Sequence, residues 1–308
     1  SEARPPMAQT IILSDAFNRA DAAAPGLGSD WVDQQDAWSI DTNRAKAGSA
    51  TNNYVTHNAV REIPGLDDGY ERYVVSASMA RGSTTTGVLK IRLADDESTA
   101  AYGCRWYETS GKLTLGIVKT SGTSSLTNLN TAIHDTMEDD DEVAINLAGG
   151  PYRLEMWNLE QHKVAAAIYR LDGDEPLLTI GTANTLDVFG TWTGFAPWQN
   201  NTFVDDFQVA TYQPSRSYVI CGDSLGNMAS GQIQIRLGHY AKVTNRAQSG
   251  TDASHTDTQF NTLCKPVIEA DVAAGLPCEV LICAGTNSFF NNTATVAQLK
   301  TLVKSIAL

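Results

Sequence analysis

The sequence contains no run approaching the ~20 consecutive apolar residues that a membrane-crossing helix requires, so membrane insertion is not expected. Positive charge is scarce: 22 Lys and Arg stand against 35 Asp and Glu, for a formal net charge of −13. Such a chain repels phosphate backbones and anionic lipid surfaces, which removes nucleic acid from the expected partners. Cysteine is sparse too. Cys104, Cys221, Cys264, Cys278 and Cys283 are odd in number and form no CxxC pair. A structural zinc site is therefore not expected. Cys221 and Cys283 lie inside apolar runs and read as buried thiols. Cys264 and Cys278 flank a helical stretch, and the sequence leaves a bridge between them open. No basic stretch followed by an apolar one opens the chain, so a secretory signal is not expected. Residues 1–10 read as a leader or tag, with Met7 as the natural start. A protein acting outside the cell would leave it by a route other than secretion, such as lysis; otherwise it stays in the cytoplasm. The densest acidic run, EDDDE at 138–142, lacks the turn glycine and spacing of a calcium loop and reads as solvated.

Two patterns divide what is present, and 308 residues accommodate two domains. Residues 11–212 read as all-β. YVVSASMA (73–80), GVLKIRLA (87–94), AAYGCRWYE (100–108) and KLTLGIVKT (112–120) are short, partly alternating runs. YRLEMWNLE (152–160), KVAAAIYRL (163–171) and TFVDDFQVATY (202–212) are similar, with polar turns such as TSGK and DGDE between them. Many short strands with polar turns predict an antiparallel sandwich. Residues 213–217 read as a linker, and from 218 the pattern changes. SYVICGDS, KVTNRAQ and CEVLICAGTN are strands separated by stretches with helical spacing at 231–241 and 262–275. A last such stretch is 295–308. Strand and helix in alternation predict a parallel sheet with right-handed crossovers. The fold class expected is therefore multidomain, β plus α/β.

The carboxyl ends of the three later strands carry Gly222-Asp223-Ser224-Leu225, then NRAQSG ending at Gly250, then Gly285-Thr286-Asn287-Ser288. Ligands of open parallel sheets bind beyond such ends. In order, these segments resemble the first three blocks of the SGNH (GDSL-type) hydrolases, with Ser288 where the family has aspartate. The resemblance implies a flavodoxin-like three-layer α/β domain over 218–308, incomplete at its C-terminus. It implies Ser224 as the nucleophile, supported by Gly222 and Asp223, with Gly250 and Asn287 in the oxyanion hole and no cofactor. Alternatively, Ser224 caps a helix and Asn287 sits in a turn. The family's base is a histidine in a late Asp-x-x-His block. None of His57, His134, His162, His239 and His255 stands in one after the third strand, so the base is expected downstream. His255, which follows the second block, is a substitute candidate.

The first region resembles the concanavalin-like, laminin-G-type sandwich domains. The resemblance rests on DAFNRADAAAPGLGSDW, AWSIDTNRAKAG, AYGCRWYETSGKLTLGIVK and TFVDDFQVATY in that order. It implies a jelly roll over 11–212 that binds glycan or protein. Asp15, Asn18 and Asp206 are its calcium candidates; otherwise Asp15 and Asn18 cap a turn and Asp206 faces solvent. Trp192, Trp198 and Tyr102 either stack on sugar rings or belong to the core. The two regions together imply a carbohydrate-associated serine esterase removing acyl groups from a bacterial surface glycan, on a phage tail or virion among other virion proteins. The rival is a non-enzymatic structural or receptor-binding virion module.

Overall fold

The computed structural model describes residues 9–48, 56–66, 72–81, 86–122, 125–133, 150–160, 163–182, 187–198, 201–226, 241–250 and 258–283. The chain divides into two compact units, one of them Gln9–Tyr212 and the other containing Gln213–Leu308.

The first unit opens with β1 (Gln9–Asp15), β2 (Val32–Asp33), β3 (Trp38–Ile40), β4 (Ala45–Ala47) and β5 (Ala59–Glu62). It continues with β6 (Tyr73–Ala80), β7 (Val88–Leu93), β8 (Ala101–Thr109), β9 (Lys112–Ser121) and β10 (Ser125–Ile133). It closes with β11 (Tyr152–Glu160), β12 (Lys163–Tyr169), β13 (Pro176–Thr182), β14 (Trp192–Ala196) and β15 (Phe203–Tyr212). Among the described residues these strands form two antiparallel sheets. One runs β13-β12-β11-β6-β15-β4-β3 with β1 added on β15, and the other runs β10-β9-β8-β7-β14-β5-β2.

Strand alternation explains why the sheets face each other. In β6, Tyr73, Val75, Ala77 and Met79 are buried, while Ser76 and Ser78 on the opposite face are partly exposed. Val75, Ala77 and Met79 share one core with Leu154 and Met156 of β11 and with Leu89, Ile91, Trp106, Leu115 and Ile117 of the other sheet. Side chains from two inner faces filling one core define a β-sandwich, as the sequence pattern predicts. An aromatic hub anchors one part of it: Trp38 and Phe195 meet edge-on with centroids 4.6 Å apart, and Trp31 meets Phe207 at 5.0 Å. Such edge contacts add about 1 kcal/mol each beyond the area they bury.

In the second unit, three strands form a parallel sheet: β16 (Arg216–Gly222), β17 (Ala241–Asn245) and β18 (Cys278–Cys283), in the order β17-β16-β18. The central strand is apolar on both faces. Tyr218 and Ile220 pack with Val243 on one side, and Val219 and Cys221 with Cys264, Val267 and Ile268 on the other. That double burial produces the unbroken apolar run seen in the sequence.

The predicted helix over 262–275 is present but irregular. A π-helical turn (Phe260–Cys264) precedes α1 (Lys265–Ala273). Pro266 has no N–H to bond the carbonyl four residues back, and the turn before it opens so that the Lys265 N–H bonds the Phe260 carbonyl instead. Gly275 closes the helix in the left-handed region, at φ +81°. Inside the unit, buried Asp271 of α1 accepts from Ser217 Oγ and Lys242 Nζ, both at 2.6 Å, and so ties the helix to β16 and β17. The expected helix over 231–241 lies outside the described residues except for Ala241, which begins strand β17; the expected helix over 295–308 and the acidic run at 138–142 lie outside them entirely.

Candidate functional site at the carboxyl edge of the parallel sheet

Two glycines seat Ser224 on the strand ends. Gly222 has φ +132°, and a Cβ there would lie 1.9 Å from the Cys283 carbonyl oxygen of β18. Only glycine permits that backbone and that approach. Gly226 sits directly over the sheet: a Cβ there would lie 3.0 Å from Ala247 Cβ, 3.0 Å from Cys283 Cβ and 3.2 Å from Ile220 Cγ2. The short turn from Gly222 to Gly226 therefore rests on β16, on β18 and on the segment leaving β17 together.

Backbone hydrogen bonds fix the same convergence. The Asp223 N–H donates to the Cys283 carbonyl at 2.8 Å, and the Gln248 N–H donates to the Gly222 carbonyl at 2.9 Å. Gln248 is two residues before Gly250, and Cys283 is four before Asn287. Asp223 is buried, and its Oδ1 accepts the Leu225 N–H at 3.0 Å. This Asx-type bond starts the helical turn at Ser224. Ser224 itself is half-buried, and Leu225 beside it is exposed.

Of the predicted site residues, the structure brings Gly222, Asp223 and Ser224 together and ties the segment leading to Gly250 against them. Gly250 is exposed at φ +83°. Asn287 and His255 lie outside the described residues, as do His134, His162 and His239. His57 belongs to the sandwich.

Two thiols near this edge, Cys221 and Cys283, are poor nucleophiles. The neighbouring Cys264 thiol and burial push the Cys221 thiol up, and Cys221 donates to Gln259 Oε1 at 3.2 Å. Burial and the Asp223 carboxylate push the Cys283 thiol up. A raised pKa removes the reactive thiolate. All five cysteines are free, and Cys264 and Cys278 form no bridge.

Sequence reasoning missed Gln259. Its side-chain oxygen accepts the Gly222 N–H at 2.7 Å. As one more polar residue at the start of a helix, it carries no signal in the sequence.

On the sandwich, Asp15 caps a turn. Its Oδ1 accepts the Phe17 N–H at 2.8 Å, and its Oδ2 accepts from Arg19 and, at 2.8 Å, from Trp31 Nε1. Asn18 and Asp206 are exposed, and Asp206 occupies a bulge of β15 at φ +49°. Among the described residues, no group of three or more His, Cys, Asp or Glu is arranged to hold a metal ion. Tyr102 is core, with its hydroxyl donating to Asp187 at 2.6 Å. Trp192 packs partly against Val60, Leu93 and Ala101, and Trp198 lies 5.7 Å from the Arg105 guanidinium.

No protein-family model and no curated protein matches this sequence. Solved structures do resemble it. One is the exoplasmic/lumenal domain of VIP36 in a Ca2+/Man3GlcNAc-bound form, at 9% identity and TM-score 0.36, over 57% of this chain and 83% of that one. A legume lectin-like domain from Entamoeba histolytica matches at 11% identity and TM-score 0.32, over 57% of this chain and 86% of that one. A Bacillus licheniformis β-glucanase matches at 10% identity and TM-score 0.34, over 65% of this chain and 97% of that one. These neighbours are lectin-like and concanavalin-like β-sandwiches, too distant to transfer a function.

Proposed function

We propose that the chain carries a serine ester hydrolase site of the SGNH type, linked to a sandwich that holds the acylated glycan of a bacterial surface. The observation that carries this reading is the seating of the Ser224 turn on the ends of all three parallel strands. The Gly250 and Asn287 segments leave two of those ends.

In this reading Ser224 Oγ bonds to the ester carbonyl carbon as its proton passes to a general base. The carbonyl oxygen becomes an oxyanion, held by the N–H groups of Ser224 and Gly250 and the amide of Asn287. Collapse expels the sugar hydroxyl and leaves an acyl-serine, which water then cleaves to the free acid. Each fixed donor is worth ~10²–10³ in rate. The general base falls to no described residue; the family resemblance assigns it to a later Asp-x-x-His block. On the sandwich, an open depression of about 520 Å³ lined by Asp21, Ser39, Asp41, Lys46 and Asn201 supplies hydrogen-bonding groups suited to sugar hydroxyls. The same reading puts the protein on a phage tail or virion surface.

The test is hydrolysis of p-nitrophenyl acetate and of an acetylated bacterial polysaccharide by the full-length gene product, beside Ser224→Ala. A loss on the order of 10³-fold or more is expected, since removing a nucleophile leaves the oxyanion hole to act alone. Equal rates would sink the hydrolase reading and favour a non-enzymatic module of a surface assembly. A glycan array with the full chain and Asp41→Ala tests the sandwich; binding indifferent to the substitution would contradict the placement.

A further inference from the structure

The paired register of β16 and β17 ends at Ile220 and Asn245, two residues before Gly222, and beyond it the Gln248 N–H still reaches the Gly222 carbonyl. The Gly222 N–H therefore lies beyond that register, in a fully buried stretch of backbone. Its acceptor is a side chain: Gln259 Oε1, at 2.7 Å. The same oxygen accepts from the Cys221 thiol at 3.2 Å. Gln259 is itself 5% exposed, and its Nε2 is buried without a hydrogen-bond partner among the described residues. Its place is fixed by the π-helical turn that begins at the next residue, Phe260, which packs against Val219, Cys221 and Cys264.

A buried amide with one nitrogen unsatisfied is a costly way to fill space, and an apolar side chain of the same length would avoid the cost. What that apolar side chain could not do is hold the Gly222 N–H. Gly222 is also the least restrained residue type, since glycine adopts φ of either sign with ease, and it stands two residues before Ser224. The Gly222 carbonyl ties the turn to the segment leaving β17 through Gln248, and the Asp223 N–H ties it to β18 through Cys283; the Gln259 oxygen adds an anchor on the Gly222 N–H.

We propose that Gln259 is a positioning residue for Ser224: its amide oxygen anchors the Gly222 N–H just past the paired register of β16 and β17, and so holds the backbone that aims the serine. This rests on the hydrolase reading of Ser224 but concerns a residue outside the resemblance to the SGNH blocks. It acts through the backbone and touches no reacting atom.

The test uses the full-length product with Gln259→Met, Gln259→Glu and, as a packing control on the same helix, Val267→Ala. Amide hydrogen exchange at Gly222 is the first readout, and it needs no activity. Gln259→Met is expected to speed that exchange roughly tenfold or more, the equivalent of one lost buried acceptor. Gln259→Glu keeps an oxygen at the same reach and is expected to restore most of the protection. The second readout is ester hydrolysis, in which Gln259→Met is expected to lower kcat about tenfold with KM unchanged, and Gln259→Glu to recover it. Val267→Ala is expected to lower Tm without moving either readout.

Unchanged Gly222 exchange in Gln259→Met would overturn the proposal. So would Val267→Ala reproducing both effects, because helix packing would then suffice. Ser224→Ala hydrolysing as fast as wild type would defeat the hydrolase reading separately, with the exchange data still deciding whether Gln259 anchors the turn.

Discussion

Lys90, in the middle of β7, is fully buried, and its amine donates to the neutral side-chain oxygen of Asn58. Burial alone lowers the amine from 10.5 to about 7. The folded sandwich therefore prefers the uncharged amine. Between pH 7 and 10.5 the unfolded chain binds more protons than the folded one, so stability rises with pH across that window. The penalty for the charged form is complete below about pH 7 and vanishes above 10.5. At ~1.4 kcal/mol per pH unit, its ceiling is about 5 kcal/mol. Lys90→Met removes that penalty but takes a donor from Asn58, at a cost of ~1–3 kcal/mol. The variant should match or exceed wild type by roughly 2–4 kcal/mol at pH 7. The order should reverse near pH 10. Urea unfolding followed by tryptophan fluorescence reads this, because all six tryptophans lie between Trp31 and Trp198. Subtracting the two stability-against-pH curves isolates Lys90. Parallel curves would refute the reasoning, by showing the amine charged and hydrated in solution.

Two further substitutions probe the parallel-sheet unit. Gly222→Ala forces a Cβ to 1.9 Å from the Cys283 oxygen at a φ of +132°, and should weaken the β16–β18 ladder by ~3 kcal/mol or more; hydrogen exchange across 217–222 that matched wild type would contradict this. Asp271→Ala strips the acceptor from Ser217 and Lys242 and should cost about 2 kcal/mol, seen as faster exchange in α1 and β17, whereas unchanged exchange would mean the three-way tie contributes nothing.

Much of the fold was legible in the residues. The alternating runs at 73–80, 112–120 and 152–160 became strands β6, β9 and β11 with nearly unchanged limits. The switch to unbroken apolar runs marked the three parallel strands, because a central parallel strand is covered on both faces. Strand β10, SLTNLNTAI, was not legible: its polar residues suit the edge of the sheet, where it lies. In β7, Lys90 and Arg92 lie on a strand buried along its whole length, and alternation alone would have sent those charges to solvent. The π-helical turn depends on Pro266 acting on the preceding turn, which a helical period does not reveal.

The candidate site was legible at Gly222, which stands before Ser224 because the turn must approach Cys283 closely. Gly226, which sits over all three strand ends, was not legible in the sequence. Gln259 was not legible, since its role comes from a backbone N–H 37 positions away in sequence. The family resemblance offers Asp15 as a calcium ligand, but its oxygens accept from Phe17, Arg19 and Trp31.

The most direct measurement is covalent labelling of the full-length product with a fluorophosphonate, read by peptide mass spectrometry, because such a probe reports an aligned serine nucleophile rather than the fold that carries it. The account predicts one adduct, on the tryptic peptide containing Ser224, lost in Ser224→Ala. No adduct, or an adduct that persists in Ser224→Ala, would contradict it.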